Sequence, residues 1–204
     1  VKNTISSKIK INLNNLNKLG VGNEINFDKD FIIVSQHPVT TEYGDALDQI
    51  MITLRAIDEL KTQALILWPN PDAGSEDIAK GIRKFRENKI TSKMRFLKNI
   101  PISEYILLMN KTKCLVGNSS SGIREGSYIG TPVVNIGSRQ NRRGRGKNVI
   151  DVSHNKTQII NAIKKQLKLG KYKKEIIYGD GKSGFRVADI LSRIKVNVQK
   201  QNYY

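Results

Sequence analysis

Six short runs dominated by apolar residues, at 31–34, 64–68, 94–97, 114–116, 132–136 and 149–152, constrain the fold more than any other feature of the chain. A continuous apolar run of this length marks a strand buried on both faces, as in a parallel sheet. Between the runs, apolar residues recur at helical spacing instead. Leu47, Ile50, Met51, Leu54 and Ile57 form one such set; Ile78, Ile82 and Phe85 form another; 102–109 is a third. After the sixth run come Ile160, Ile163 and Leu167, then Val187, Ile190, Leu191 and Ile194. Strand-like runs alternating with amphipathic helices predict an α/β domain of three layers, with about six parallel strands covered on both faces.

The organisation follows from the same pattern. Residues 31–195 read as one domain, which 204 residues can furnish with a full core. Residues 1–30 read as a docking helix and a linker, since Ile9, Leu13, Leu16 and Leu19 recur after Ser7 and Gly20 follows as a stop. Residues 196–204 read as a polar tail. The single cysteine, Cys114, excludes an intrachain disulfide and sits in a strand as core filler.

In a parallel sheet, loops after successive strands leave one edge together, so chemistry should be sought there. The first loop is Gln36-His37-Pro38-Val39-Thr40-Thr41, with a histidine just beyond a buried strand; a plain surface histidine is the competing reading. His154, in a polar turn, carries no functional expectation. The second loop, Pro69-Asn70-Pro71-Asp72-Ala73-Gly74-Ser75, ends with Ser75 as a helix N-cap, which leaves Asn70 and Asp72 without a structural role. The fourth is Gly117-Asn118-Ser119-Ser120-Ser121-Gly122, opening a helix that carries Glu125. Glycines and small hydroxyls leave backbone N–H groups uncovered, and the helix start adds a positive dipole end, so the turn suits phosphate, although ordinary capping also explains it. The fifth loop carries Arg139, Arg142, Arg143, Arg145 and Lys147 without an acid. Serines and arginines for a diphosphate, with Glu125 for a ribose diol, make this edge a nucleotide or sugar-nucleotide site.

The formal net charge of +17 raises a nucleic-acid reading. The lysines are scattered along helix faces, however, and aromatics do not interleave with them as a base-stacking platform requires, so nucleic acid is not the expected partner. No apolar run approaches the ~18 residues of a membrane span and no leader segment is evident, so a cytoplasmic protein without membrane association is expected. The chain opens on Val1 rather than Met, as a fragment or trimmed chain does.

Six ordered motifs then carry a resemblance: His37-Pro38-Val39-Thr40-Thr41, 69–75, 117–125, Gly130-Thr131-Pro132, Gly137-Ser138-Arg139-Gln140 and Tyr178-Gly179-Asp180-Gly181. Together they resemble the carboxyl-terminal domain of the hydrolysing UDP-N-acetylglucosamine 2-epimerases, from about Phe31 to about Lys195. The resemblance implies a Rossmann-like unit forming one half of a GT-B fold, facing an amino-terminal half absent from this sequence. It implies a reaction in which UDP is eliminated from UDP-N-acetylglucosamine and water adds, giving N-acetylmannosamine for sialic-acid-type biosynthesis. By motif, Ser119 and Ser120 bind the diphosphate, Glu125 the ribose, Arg139 the phosphates, Tyr105 and Ile100 the uracil, Asn70 the sugar, and His37 is the catalytic residue. No metal or cofactor is implied. The expected partners are UDP or a UDP-N-acetylhexosamine, the amino-terminal half, and further copies in a homo-oligomer. Proton transfer at the sugar falls to acids of the absent half, so this unit alone should bind UDP weakly and turn over little. Two rivals are a GT-B glycosyltransferase nucleotide domain and a basic RNA-binding domain. The first is weakened because Gly117 stands where many retaining transferases carry a second glutamate.

Overall fold

The computed structural model describes residues 1–6, 12–88 and 93–195. Among these, seven strands form one sheet: β1 (Val21–Gly22), β2 (Phe31–Ser35), β3 (Gln63–Leu67), β4 (Met94–Leu97), β5 (Cys114–Gly117), β6 (Val133–Ile136) and β7 (Val149–Val152). Their order is β1-β4-β3-β2-β5-β6-β7. Strands β2 to β7 pair in parallel, each where an apolar run predicts it. The two-residue β1 adds an antiparallel edge to β4, with Val21 opposite Phe96. The first parallel strand thus lies beside the fourth, and the direction of winding reverses between β2 and β5. That reversal opens a crevice beyond the strand ends, the general ligand position of doubly wound sheets.

The helices are α1 (Lys2–Ser6), α2 (Ala46–Leu60), α3 (Ser75–Asn88), α4 (Ile102–Lys111), α5 (Ser120–Ile129), α6 (Lys156–Leu169) and α7 (Ser183–Arg193). Side chains alternate across the strands, so the sheet feeds two cores. Ile32, Val34, Ala64, Ile66 and Val116 face α2, α3 and α6. Phe31, Ile33, Leu65, Leu115 and Val133 face the opposite layer, with Ile106 and Met109 of α4 and Ile129 of α5. Ser75, expected as an N-cap, is the first residue of α3 and follows Gly74 at φ +85°.

The amino-terminal stretch departs from expectation. Leu13–Leu19 is a 3-10 helix in which Leu13 and Leu16 are buried and Leu19 is exposed; Ile9, assigned to the same helix, lies outside the described residues. The stretch read as linker carries Ile25 and Phe27 into the second core. Asn17 holds it by accepting the Ile25 N–H at 3.0 Å and donating to the Ile25 carbonyl at 2.9 Å. The buried Arg95 of β4 donates to the carbonyls of Gly22, at 2.5 Å, and Asn17. Helix α7 forms where its apolar spacing predicts, but none of its residues is buried. The polar tail at 196–204 lies outside the described residues.

Candidate functional site

Strands β2 and β5 run side by side to their carboxyl ends, with Ser35 opposite Gly117. Gly117 has φ +127°, and a Cβ there would lie 2.2 Å from the Ser35 carbonyl oxygen, so the backbones meet at a distance only glycine permits. The next residue, Asn118, is fully buried and joins three loops. Its N–H donates to Ser35 O at 3.1 Å. Its side chain accepts the His37 N–H at 2.7 Å and donates to His37 O at 2.8 Å. Its carbonyl accepts from Gln140 Nε2 at 2.7 Å and from Arg139 Nη1 at 3.2 Å. The loops after β2, β5 and β6 are therefore one hydrogen-bonded body. Sequence reasoning passed over Asn118, although an amide between a strand-ending glycine and a serine run offers a donor and an acceptor for such bridging.

His37 is 5% exposed. Its Nδ1 accepts the Asn70 N–H at 3.2 Å, so in the neutral ring the hydrogen resides on Nε2, which lies 3.4 Å from Ser35 Oγ. Its pKa is lowered from 6.5 to about 4, chiefly by burial and then by the Arg139 cation, with Asp72 opposing both. His37 is thus a neutral hydrogen-bond donor at pH 7. Arg139 lies beside it, paired with Asp72 at 3.3 Å.

Ser119 caps α5. Its Oγ accepts the Ser121 N–H at 3.4 Å and lies 2.9 Å from Ser121 Oγ, which lies in turn 2.6 Å from the Tyr105 hydroxyl. Burial raises the Tyr105 pKa and keeps that hydroxyl protonated. This hydroxyl chain lines a cleft of about 220 Å³ together with His37, Asn70, Leu67, Trp68, Ile100 and Lys98, among others. The lining therefore combines apolar side chains with hydroxyls, an imidazole and the Lys98 ammonium, beside the start of a helix.

Of the residues expected to meet at this edge, His37, Asn70, Ile100, Tyr105 and Ser119 line the one cleft. Arg139 is outside the lining, bonded to Asn118 O and Asp72 and close enough to His37 for its charge to act on that ring. Ser120 opens α5, where first-turn N–H groups lack intrahelical acceptors, but the hydroxyl next to Ser119 in the cleft wall is that of Ser121. Glu125, one turn beyond Ser121, borders a neighbouring depression with Arg124, Tyr128 and Asp180, and its charge reaches Tyr105. Within the basic loop Arg145 is committed elsewhere, to Asp151 at 2.7 Å, and Tyr178 tethers the loop by donating to Gly144 O at 2.7 Å. Among the described residues no group of three His, Cys, Asp or Glu side chains could hold a metal ion, and no helix is long and apolar enough to cross a membrane.

Residues 3–192 match the family model described as UDP-N-acetylglucosamine 2-epimerase. A Legionella pneumophila protein named UDP-N,N'-diacetylbacillosamine 2-epimerase (hydrolyzing) is 33% identical over 175 residues, 86% of this chain and 46% of that protein. The GDP/UDP-N,N'-diacetylbacillosamine 2-epimerase (hydrolyzing) of Campylobacter jejuni is 34% identical over 151 residues, 72% of this chain and 39% of that protein. In fold, the chain is similar to the UDP-GlcNAc 2-epimerase of Methanocaldococcus jannaschii, solved with UDP-GlcNAc and UDP, with a TM-score of 0.64 and 17% identity over 94% of this chain and 50% of that one. The chain spans half or less of the length of these relatives.

Proposed function

Since the chain belongs to the UDP-N-acetylglucosamine 2-epimerase family, we propose that it is the UDP-binding half of a hydrolysing UDP-2-acetamido-sugar 2-epimerase. The observation that supports this reading is the cleft at the β2/β5 switch, where an imidazole, serine hydroxyls and apolar side chains meet beside a helix start, with the Arg139 charge acting on His37. A diphosphate lies against Ser119, the start of α5 and Arg139. Uracil takes the side bounded by Ile100 and Tyr105, and Glu125 accepts from the ribose hydroxyls.

In the first step the C1–O bond to UDP breaks as a proton leaves C2, giving UDP and an unsaturated sugar. Water then adds its hydroxyl at C1, and a proton returns to C2 on the opposite face, releasing the 2-epimer. This chain contributes to the leaving group. His37, neutral and with its hydrogen on Nε2, donates to the departing diphosphate, and Arg139 offsets the developing charge. Asn70, whose backbone N–H fixes the His37 tautomer, offers its side chain to the sugar. The exchange at C2 belongs to acids of an amino-terminal half, and the complete enzyme works in the cytoplasm as a homo-oligomer.

UDP-N-acetylglucosamine is the proposed substrate, with N-acetylmannosamine as product for sialic-acid-type biosynthesis. The names of the Legionella and Campylobacter relatives favour a second reading, a diacetamido sugar nucleotide, on the same chemistry. Calorimetric titration of the chain with UDP, ADP and mixed RNA tests the nucleotide assignment: saturable binding of UDP above ADP is expected, and equal or absent UDP binding refutes it. An RNA-binding domain would lose affinity log-linearly with salt for any polyanion. Glu125→Gln is expected to weaken UDP by roughly 1–3 kcal/mol, the loss of a charge-assisted hydrogen bond. Unchanged binding removes the ribose assignment.

A further inference from the structure

Glu42 closes the turn that follows His37, donating its N–H to Val39 O at 2.9 Å. Both of its carboxylate oxygens are engaged. Oε2 accepts from Gln49 Nε2 of α2 at 2.6 Å, and Oε1 accepts from Ser138 Oγ. Ser138 stands immediately before Arg139 in the loop after β6. The remainder of that loop is held separately. Gly137 donates to Val152 O at 2.9 Å at φ +74°, with the His154 ring so close that a Cβ would lie 2.4 Å from its Nε2. Gln140 is tied to Asn118 O. The Arg139 guanidinium itself reaches Asn118 O at 3.2 Å and Asp72 at 3.3 Å, and the contact with Glu42 adds a side-chain hold on the residue before it, from the segment that carries His37.

We propose that Glu42 is a positioning residue that sets the Arg139 guanidinium against His37 and the diphosphate, a role that rests on the UDP-binding reading above. The chemistry of the group suits the task. A carboxylate presents two acceptors at a fixed spacing, so one side chain can take a hydroxyl from the Arg139 loop and an amide from α2 together. With α2 anchored in the first core through Ile50, Leu54 and Ile57, the hold transmits the rigidity of a packed helix to a half-buried loop. Glutamine retains a two-point bridge, accepting from Gln49 and donating to Ser138 Oγ. Alanine retains neither contact.

The test is a thermodynamic cycle on UDP affinity combined with hydrogen exchange on the unliganded chain. Glu42→Ala is expected to weaken UDP about tenfold in the wild-type background and less than about twofold in Arg139→Ala, because a residue acting through Arg139 has nothing left to position once it is gone. Glu42→Gln is expected to restore most of the affinity. Equal weakening in both backgrounds, or none in the first, overturns the proposal. Exchange reads the loop without ligand: amides at 138–141 should exchange faster in Glu42→Ala and at the wild-type rate in Glu42→Gln. Unchanged exchange in Glu42→Ala also overturns it. If the wild-type chain takes up no UDP, the nucleotide reading fails and exchange alone decides whether Glu42 fixes the loop.

Discussion

Replacing Asn118 by alanine tests how the site is held together, independently of what it binds. The side chain makes two hydrogen bonds, at 2.7 and 2.8 Å, both to the backbone of His37, and the residue is 0% exposed. Alanine leaves one buried N–H and one buried carbonyl without those partners. Each such group costs about 1–3 kcal/mol, so the pair costs about 2–6 kcal/mol and centres near ~4 kcal/mol. The bonds to the Asn118 carbonyl survive because they involve its backbone. For a domain of this size each kcal/mol lowers Tm by about 2–4 °C, so a fall of about 8–16 °C is expected. Thermal unfolding followed by circular dichroism measures it, with urea denaturation to confirm that the m-value is unchanged. Asn118→Asp provides an internal control. It keeps the acceptor for the His37 N–H but sets a carboxylate oxygen against the His37 carbonyl, so it should rescue little. A fall below about 3 °C for the alanine variant refutes the claim that this amide bears the junction between the loops.

Two further outcomes follow from buried groups. The His37 pKa lies below its unfolded value, so the unfolded chain binds a proton that the folded one resists; stability present above pH 6.5 is lost as pH falls towards about 4. At ~1.4 kcal/mol per pKa unit the ceiling is about 3 kcal/mol, read as the loss of stability between pH 7 and pH 4 that wild type shows and His37→Gln lacks; identical profiles contradict it. Arg95→Met removes the donors held by Asn17 and Gly22, at a cost of about 1–3 kcal/mol. Limited proteolysis should then cut within residues 12–30 before the remainder of the chain, whereas uniform cutting denies Arg95 that role.

The six parallel strands were legible because a strand covered on both faces is apolar at most positions, and such a run stays recognisable even where Arg95, Asn135 or Asp151 interrupts it. The sheet edge was legible for the same reason: parallel winding obliges His37, Asn70, Ile100 and Ser119 to emerge on one side. What lay hidden depends on contacts between distant positions. His37 and Asn118 are 81 residues apart, and Glu42 and Ser138 are 96 apart. No local pattern records those pairs. Strand β1 has only two residues, too few to show an alternation. Ile25 and Phe27 are single apolar residues in a polar stretch, and only the closing of the second core reveals their burial. The choice between Ser120 and Ser121 turns on where α5 begins, since a shift of one residue rotates a side chain by ~100° about the axis.

The close approach at Gly117 reaches beyond packing. Any side chain at that position must displace the Ser35 carbonyl and adopt a backbone conformation that L-residues avoid. A glutamate of the retaining-transferase kind therefore cannot be introduced there by a single exchange, because the two strand ends would first have to separate, and with them the loops bearing His37 and Asn118. Backbone geometry thus closes the single-exchange route from this scaffold to a retaining transferase of that kind, and an engineer seeking that glutamate must rebuild the exit of β5 first.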